Sequence, residues 1–406
     1  MADFTAQDRI YLPDRVFTAL EDRMREGTGV WVRGERIQAL VAVGDLPLDA
    51  PVERWPGTTI TPGLIDAHVH LDNPGDGSTL AAMEEADEVL AAAGARHART
   101  ALEAGITTVR DCGSRGDTVF SIRRAIDLGW ASGSAIVAAG SPLTVPRGHG
   151  WPMGGEVAGL EGVRAGVRAQ RAKGADFIKV INSGGGTPGT YAWQAAFPIE
   201  ELRAIVEEAH GLNMRVTVHC LCTEALQRTL AAGADQIEHG HFLLEGDRIE
   251  VDGPTADAIA AAGVFVTPTM VVASSLLERL GDDGDPAERD RWLRMLDGWL
   301  AGARRLREAG VRLVAGTDAG WRWVRFDDLP SEISLLRQVG LSAAASLRAA
   351  TSESATAMGL DDVGAIAPGR RADLVAFAGD PVADPTALRR PVRVLQGGRA
   401  VALPVR

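Results

Sequence analysis

His68 and His70 lie one residue apart in Thr61-Pro-Gly-Leu-Ile-Asp-Ala-His-Val-His70. Leu64 to His70 reads as a strand, its apolar residues alternating toward a polar end. Side chains two apart on a strand share a face, so both imidazoles project together from the strand's C-terminal end. Neutral imidazoles placed this way can hold one divalent metal ion. An HxH pair alone is as readily chance, so residues elsewhere must decide. Lys179 sits inside Phe177-Ile-Lys-Val-Ile181, and His219 closes Arg215-Val-Thr-Val-His219. His239 closes Gln236-Ile-Glu-His239, and Asp318 closes Arg312-Leu-Val-Ala-Gly-Thr-Asp318. Each is a polar residue within or at the end of an apolar run. An ammonium flanked by Ile178 and Val180 is poorly placed to stay charged. Its neutral amine can take up carbon dioxide to give a carbamate, an anionic bridge between two metals.

The elements that must carry these residues alternate along the chain. From Thr59 onward, eight strand candidates alternate with Ala-, Arg- and Leu-rich helical patterns, the signature of parallel β/α construction. The remaining strands are Ile106–Arg110, Ala135–Ala138 and Val264–Pro268. Helical patterns such as Pro198–Gly211, Thr223–Gly233 and Pro286–Gly310 stop at a glycine, as helix C-termini do. Eight such units predict an α/β fold, a (β/α)8 TIM barrel over residues 59–363, with chemistry at the C-terminal ends of its strands. Short β-like runs before it (Gly29–Arg33, Ile37–Val41) and after it (Ala372–Phe377, Val392–Gln396) predict a small β-sandwich domain. Residues 1–58 and 364–406 would supply its two parts.

Composition narrows the partners. The chain has 406 residues, is 46% hydrophobic and carries a net charge of −12, which repels nucleic acid and anionic membranes. No stretch approaches the roughly 20 apolar residues of a transmembrane helix, and the N-terminus lacks a signal-peptide pattern. The three cysteines, Cys112, Cys220 and Cys222, show no disulfide spacing. A cytoplasmic enzyme acting on a small molecule is expected, with a homo-oligomer as its assembly.

The order HxH, Lys, His, His, Asp on strands 1, 4, 5, 6 and 8 resembles the binuclear amidohydrolase superfamily. Gly105-Ile-Thr-Thr-Val-Arg-Asp111, Ile237-Glu-His-Gly-His241, Ala315-Gly-Thr-Asp-Ala319 and Pro368-Gly-Arg-Arg-Ala-Asp-Leu-Val375 are similar to its imidazolonepropionase-related branch, which includes Xaa-Pro dipeptidases. The resemblance implies His68 and His70 on one metal, His219 and His239 on the other, carboxylated Lys179 bridging them, and Asp318 on the first. It also implies a metal-bridging hydroxide as the attacking species, with Asp318 as general base and acid. Such ligands suit two zinc ions, and would accept manganese or cobalt. Imidazolonepropionase is by resemblance mononuclear and lacks the bridging lysine, so Lys179 points to the dipeptidase side.

The resemblance also singles out substrate candidates. His149, in Arg147-Gly-His-Gly150, resembles a histidine-bearing glycine loop that polarises the substrate carbonyl or holds its carboxylate. His241 faces the same way as His239 and can touch substrate or orient a ligand, or simply pack. His97 and His210 fall in helical patterns and are expected to face solvent. Dipeptide-cleaving relatives often carry a tyrosine where this chain has Leu221, which puts proline-dipeptide cleavage in doubt. Trp151, Trp193, Trp321 and Trp323 lie in loops after strands 3, 4 and 8 and would wall a pocket for an aromatic group. Arg147, Arg322 and Arg325 share those loops and could grip a carboxylate. The expected reaction is hydrolysis of a C–N amide bond in a small N-acyl amino acid or dipeptide-like substrate with a hydrophobic or aromatic group. A cyclic amide, carbamate, ester or phosphotriester is the alternative, and a non-catalytic scaffold a remote one.

Overall fold

The computed structural model describes residues 8–46 and 49–404. The first seven residues, on which the reading of no signal peptide rests, lie outside them, as do residues 405 and 406. Two parallel runs make most of a barrel. Leu64–Val69, Ile106–Asp111 and Ala135–Ala138 pair in order, and so do Phe177–Ile181, Arg215–Cys220, Gln236–His239 and Phe265–Thr267. Two seams close the circle. At the first, Leu143 N–H donates to Lys179 O at 2.8 Å, and Ile181 N–H returns to Leu143 O at 2.8 Å. At the second, Asp318 N–H donates to His68 O at 2.8 Å and His70 N–H to Ala319 O at 2.7 Å.

The expected eighth strand, Arg312–Asp318, therefore closes the barrel without forming a regular ladder. Its strand contacts are single bridges, Leu313 to Val266 and Ala319 to Val69. Two local features explain this. Asp66 takes the Thr317 N–H at 3.0 Å and its hydroxyl at 2.6 Å, occupying a donor that a ladder would use. Asp318 adopts φ +63°, which turns the chain out of extended geometry. Gly316 lets the backbones approach here, since a Cβ would fall 2.9 Å from His68 N and 2.5 Å from Thr267 Cγ2.

Helices surround the strands as their periodicity predicts. Ile199–Gly211 buries Leu202, Ile205, Val206 and Ala209, one face of a 3.6-residue repeat. Thr223–Ala232 and Pro286–Ala309 end on Gly233 (φ 81°) and Gly310 (φ 96°) in left-handed caps, which glycine adopts without a Cβ clash. Among the described residues no helix is long and apolar enough to cross a membrane.

Both ends of the chain build one eight-stranded sheet. Asp8–Val16 runs parallel to Val52–Pro62, which pairs antiparallel with Leu374–Ala378. The edge strand Arg36–Ala42 reaches across to the loop before Leu374–Ala378, with Ile37 N–H donating to Arg370 O at 2.9 Å. The sheet thus curls around its own core of Val30, Ile37, Ile60, Leu374 and Leu395. Val52–Pro62 leads, across Gly63, into the first barrel strand.

Candidate active site

The strand ends bring the polar residues together at one rim. His68 Nε2 and His70 Nε2 stand 3.5 and 3.1 Å from Asp318 Oδ1. The rings continue as a chain: His68 to His239 at 5.1 Å, His239 to His219 at 4.5 Å, and His219 to His149 at 4.9 Å between centroids. Lys179 lines the same cavity. Backbone strain concentrates here. His239 (φ 70°), Asp318 (φ 63°) and Thr269 (φ 48°) occupy the left-handed region, which costs of order 1–3 kcal/mol each and clusters at functional sites.

Fixed acceptors set the orientation of each ring. His70 Nδ1 lies 2.7 Å from Gly113 O. A carbonyl can only accept, so Nδ1 carries the proton and the Nε2 lone pair faces Asp318. His68 Nδ1 meets Glu238 Oε2 at 2.7 Å, with the same consequence. Thr269 Oγ1 holds His239 Nδ1 at 2.7 Å, and Gly184 O contacts His219 Nε2 at 3.3 Å.

Burial sets the charges. It pushes His68 down to about 4, with Lys179 adding to the effect. Burial and then neighbouring imidazoles hold His219 and His239 well below the usual histidine range. Burial alone would raise Asp318, but its interaction with His68, the hydrogen bond and charge of His70 and the nearby Lys179 outweigh it and keep its carboxyl low. Burial opposes protonation of His70 too, yet the hydrogen bond and charge of Asp318 raise it. Neutral His68, His219 and His239 beside an ionised Asp318 are in their metal-ligand forms, and a cation would displace the proton that Asp318 favours on His70.

These residues fit a metal centre. Two imidazole lone pairs and a carboxylate converge within 4.8 Å of one another, an arrangement that repels unless a cation or proton lies between them. Lys179 Nζ is buried with no hydrogen-bond partner. An orphaned buried amine is costly, and a carbamate shared with bound cations would satisfy it.

Residues 59–401 match the amidohydrolase family. The chain belongs to that family. An uncharacterized protein of Mycobacterium tuberculosis is 30% identical over 360 residues, covering 84% of this chain and 85% of the relative. Ochratoxinase of Aspergillus niger is 26% identical over 389 residues, covering 84% and 75%. A crystal structure of a Xaa-Pro dipeptidase with bound methionine in the active site superposes with a TM-score of 0.87 at 26% identity, covering 97% and 99%. This amidohydrolase is thus a metal-dependent hydrolase of C–N bonds.

The amidohydrolase's cleft above the histidines is lined by His149, Leu221, His241, Trp321 and Arg322, all singled out from the sequence, and by Trp292, Met295, Trp299 and Arg291, which were not. The unexpected group comes from the helix Pro286–Ala309, where Trp292, Met295 and Trp299 share one buried stripe. Their 3- and 4-residue spacing was visible in the sequence, but it reads equally as packing against the barrel. His241 stacks on Trp299 at 4.0 Å, so it both lines the cleft and packs.

Three side chains expected to contact substrate lie elsewhere. Arg147 and Trp151 stack on each other at 4.1 Å, and Trp193 pairs with Tyr191 at 5.1 Å, all outside the cleft lining. Of the further loop candidates, Trp323 lies against Arg279 at 4.9 Å and Arg325 pairs with Asp327 at 2.9 Å, again outside it. His97 does not face solvent: it is buried, donates from Nδ1 to Leu71 O at 2.8 Å and stacks on Phe326. His210 is half-exposed and meets Asp235. Cys220 turns into the helix layer toward Thr229 Oγ1 at 3.1 Å, a buried small side chain as expected.

Proposed function

We propose that this amidohydrolase uses two divalent ions, zinc being the ions that best suit the ligands, to cleave the amide bond of a small N-acyl amino acid or dipeptide-like substrate with a hydrophobic or aromatic group. The observation that carries the proposal is the convergence of His68, His70 and Asp318 beside His239, His219 and the partnerless Lys179 Nζ. His68, His70 and Asp318 would hold one ion, His219 and His239 the other, and the Lys179 carbamate both. Bound there, divalent ions would acidify a water and polarise the scissile carbonyl.

The chain's own residues account for the rest. Asp318, held ionised among imidazoles, accepts the water's proton and returns it to the leaving nitrogen. His149 is half-buried, and desolvation in the cleft pushes it down to about 4. Thr187 Oγ1 fixes its Nδ1 at 2.8 Å, which suits it to contact the carbonyl. Arg322 has no ion pair among the described residues and leans over Trp292 at 5.3 Å, a cation available to a substrate carboxylate. Trp292, Trp299, Trp321 and Leu221 offer the apolar wall. The bound methionine named for the dipeptidase relative supports a site open to an amino acid. A cytoplasmic homo-oligomer is the proposed state, checked by light scattering. Elemental analysis should find about two metal ions per chain. Metal-loaded enzyme should prefer N-aromatic-acyl amino acids over lactams and carbamates. Turnover confined to lactams or carbamates would overturn the choice of substrate.

A further inference from the structure

His68 has metal-binding neighbours on both sides of its ring. On the Nε2 side stand His70 and Asp318; on the Nδ1 side stand Cys112 and Glu238, and each trio lies within 4.8 Å. Arg110, itself buried, separates the two possibilities. Its Nη2 donates to Glu238 Oε1 at 2.6 Å, its Nη1 to Gln236 Oε1 at 2.7 Å and its Nε to Ala67 O at 2.6 Å. The Thr217 hydroxyl donates to the same Glu238 oxygen. Glu238 is fully buried, and its other oxygen accepts from His68 Nδ1 at 2.7 Å. Arg110, Thr217 and Gln236 also line a cavity at the opposite, N-terminal end of the barrel. The contact chain thus runs from the barrel floor to the rim.

We infer that Arg110 and Glu238 are a positioning pair that directs the metal to the Nε2 side of His68. Glu238 fixes the Nδ1–H tautomer, so the lone pair points at Asp318. Arg110 saturates the carboxylate that could otherwise bind a cation together with Cys112. A ring nitrogen held by a carboxylate is also a more basic ligand at its other nitrogen. The inference concerns metal placement and does not depend on which amide is the substrate.

The test measures metal retention and does not require turnover. Glu238→Gln alone strands the Arg110 charge in the interior and can cost folding, so it is paired as Glu238→Gln/Arg110→Met, which buries no charge. A second pair, Glu238→Leu/Arg110→Met, removes the acceptor altogether. Each purified protein is reconstituted with cobalt and titrated with a chelator at fixed pH. The Gln pair, which still accepts from Nδ1–H, should bind cobalt about 10-fold more weakly than wild type, and the Leu pair about 100-fold. Both should unfold near the wild-type midpoint when metal-free. Wild-type cobalt retention in both pairs would overturn the inference and leave the ion pair a packing feature.

Discussion

Glu332 is a buried carboxyl anchored to the segment that follows Thr269. It lies on the helix Leu329–Gln338, fully buried, and its Oε2 accepts from Val271 N–H at 2.8 Å while Oε1 has no partner. Val271 is two residues past Thr269, whose hydroxyl holds His239. Burial pushes the Glu332 carboxyl from its ordinary 4.5 to about 8. Between those values the folded chain holds up to one proton more than the unfolded chain, so stability falls as pH rises through this window. The slope is at most about 1.4 kcal/mol per pH unit, or roughly 2–3 kcal/mol between about pH 5.5 and 7.5. Glu332→Gln keeps the acceptor for Val271 and cannot ionise. Urea unfolding of metal-loaded wild type and variant across that range supplies the assay, because metal-linked pH effects common to both cancel in the difference. The wild-type stability should drop relative to the variant by roughly that 2–3 kcal/mol. Parallel curves would refute the reasoning, because they would mean that Glu332 is ionised in the folded protein.

Further expectations concern the rim and the cleft. Lys179→Met should lower metal content, read by elemental analysis, and cut kcat by at least about 100-fold, since bridging and charge are lost together; full metal and activity would remove the carbamate from the mechanism. Thr269→Val should leave His239 Nδ1 unpartnered and weaken metal binding about 10- to 100-fold, measured by chelator competition. Trp299→Ala should raise KM for aromatic substrates more than for small aliphatic ones and destabilise by about 3–5 kcal/mol; an equal change for both substrate types would mean that the ring only packs. Arg322→Met should reduce kcat/KM for carboxylate substrates about 10- to 100-fold, the worth of a charge-assisted hydrogen bond, and spare their neutral amides.

Sequence patterns located the rim because strand alternation fixes which way a side chain points. His68, His70 and His219 fall at strand ends, where two-residue periodicity leaves little choice of face, whereas His239 and Asp318 reach the same rim through left-handed backbone. Loops offered no such constraint. Arg147 and Trp151 satisfied each other, a partnership their four-residue separation in a glycine loop could not specify. On helices the period is equally informative but the neighbour is unknown. The stripe of Trp292, Met295 and Trp299 was legible, while what it faced depended on how the helix lies over the barrel mouth. His97 shares a stripe with Leu90, Gly94, Ala98 and Ala101, a signal for burial that its polar character masked. Left-handed backbone at His239, Thr269 and Asp318 left no mark, since none is the glycine that usually announces it.

The sheet shared by both chain ends constrains the order of events during synthesis. Val52–Pro62 finds its antiparallel partner only when Leu374–Ala378 arrives, about 310 residues and roughly 15–60 s later at 5–20 residues per second. Until then one edge of that strand is open, and an open edge is a template for pairing with another chain. The nascent barrel therefore leaves the ribosome with an aggregation-prone margin that the strand Leu374–Ala378 must seal. Ribosome stalling or premature termination before residue 374 should release a protein that carries every rim residue yet enters the insoluble fraction.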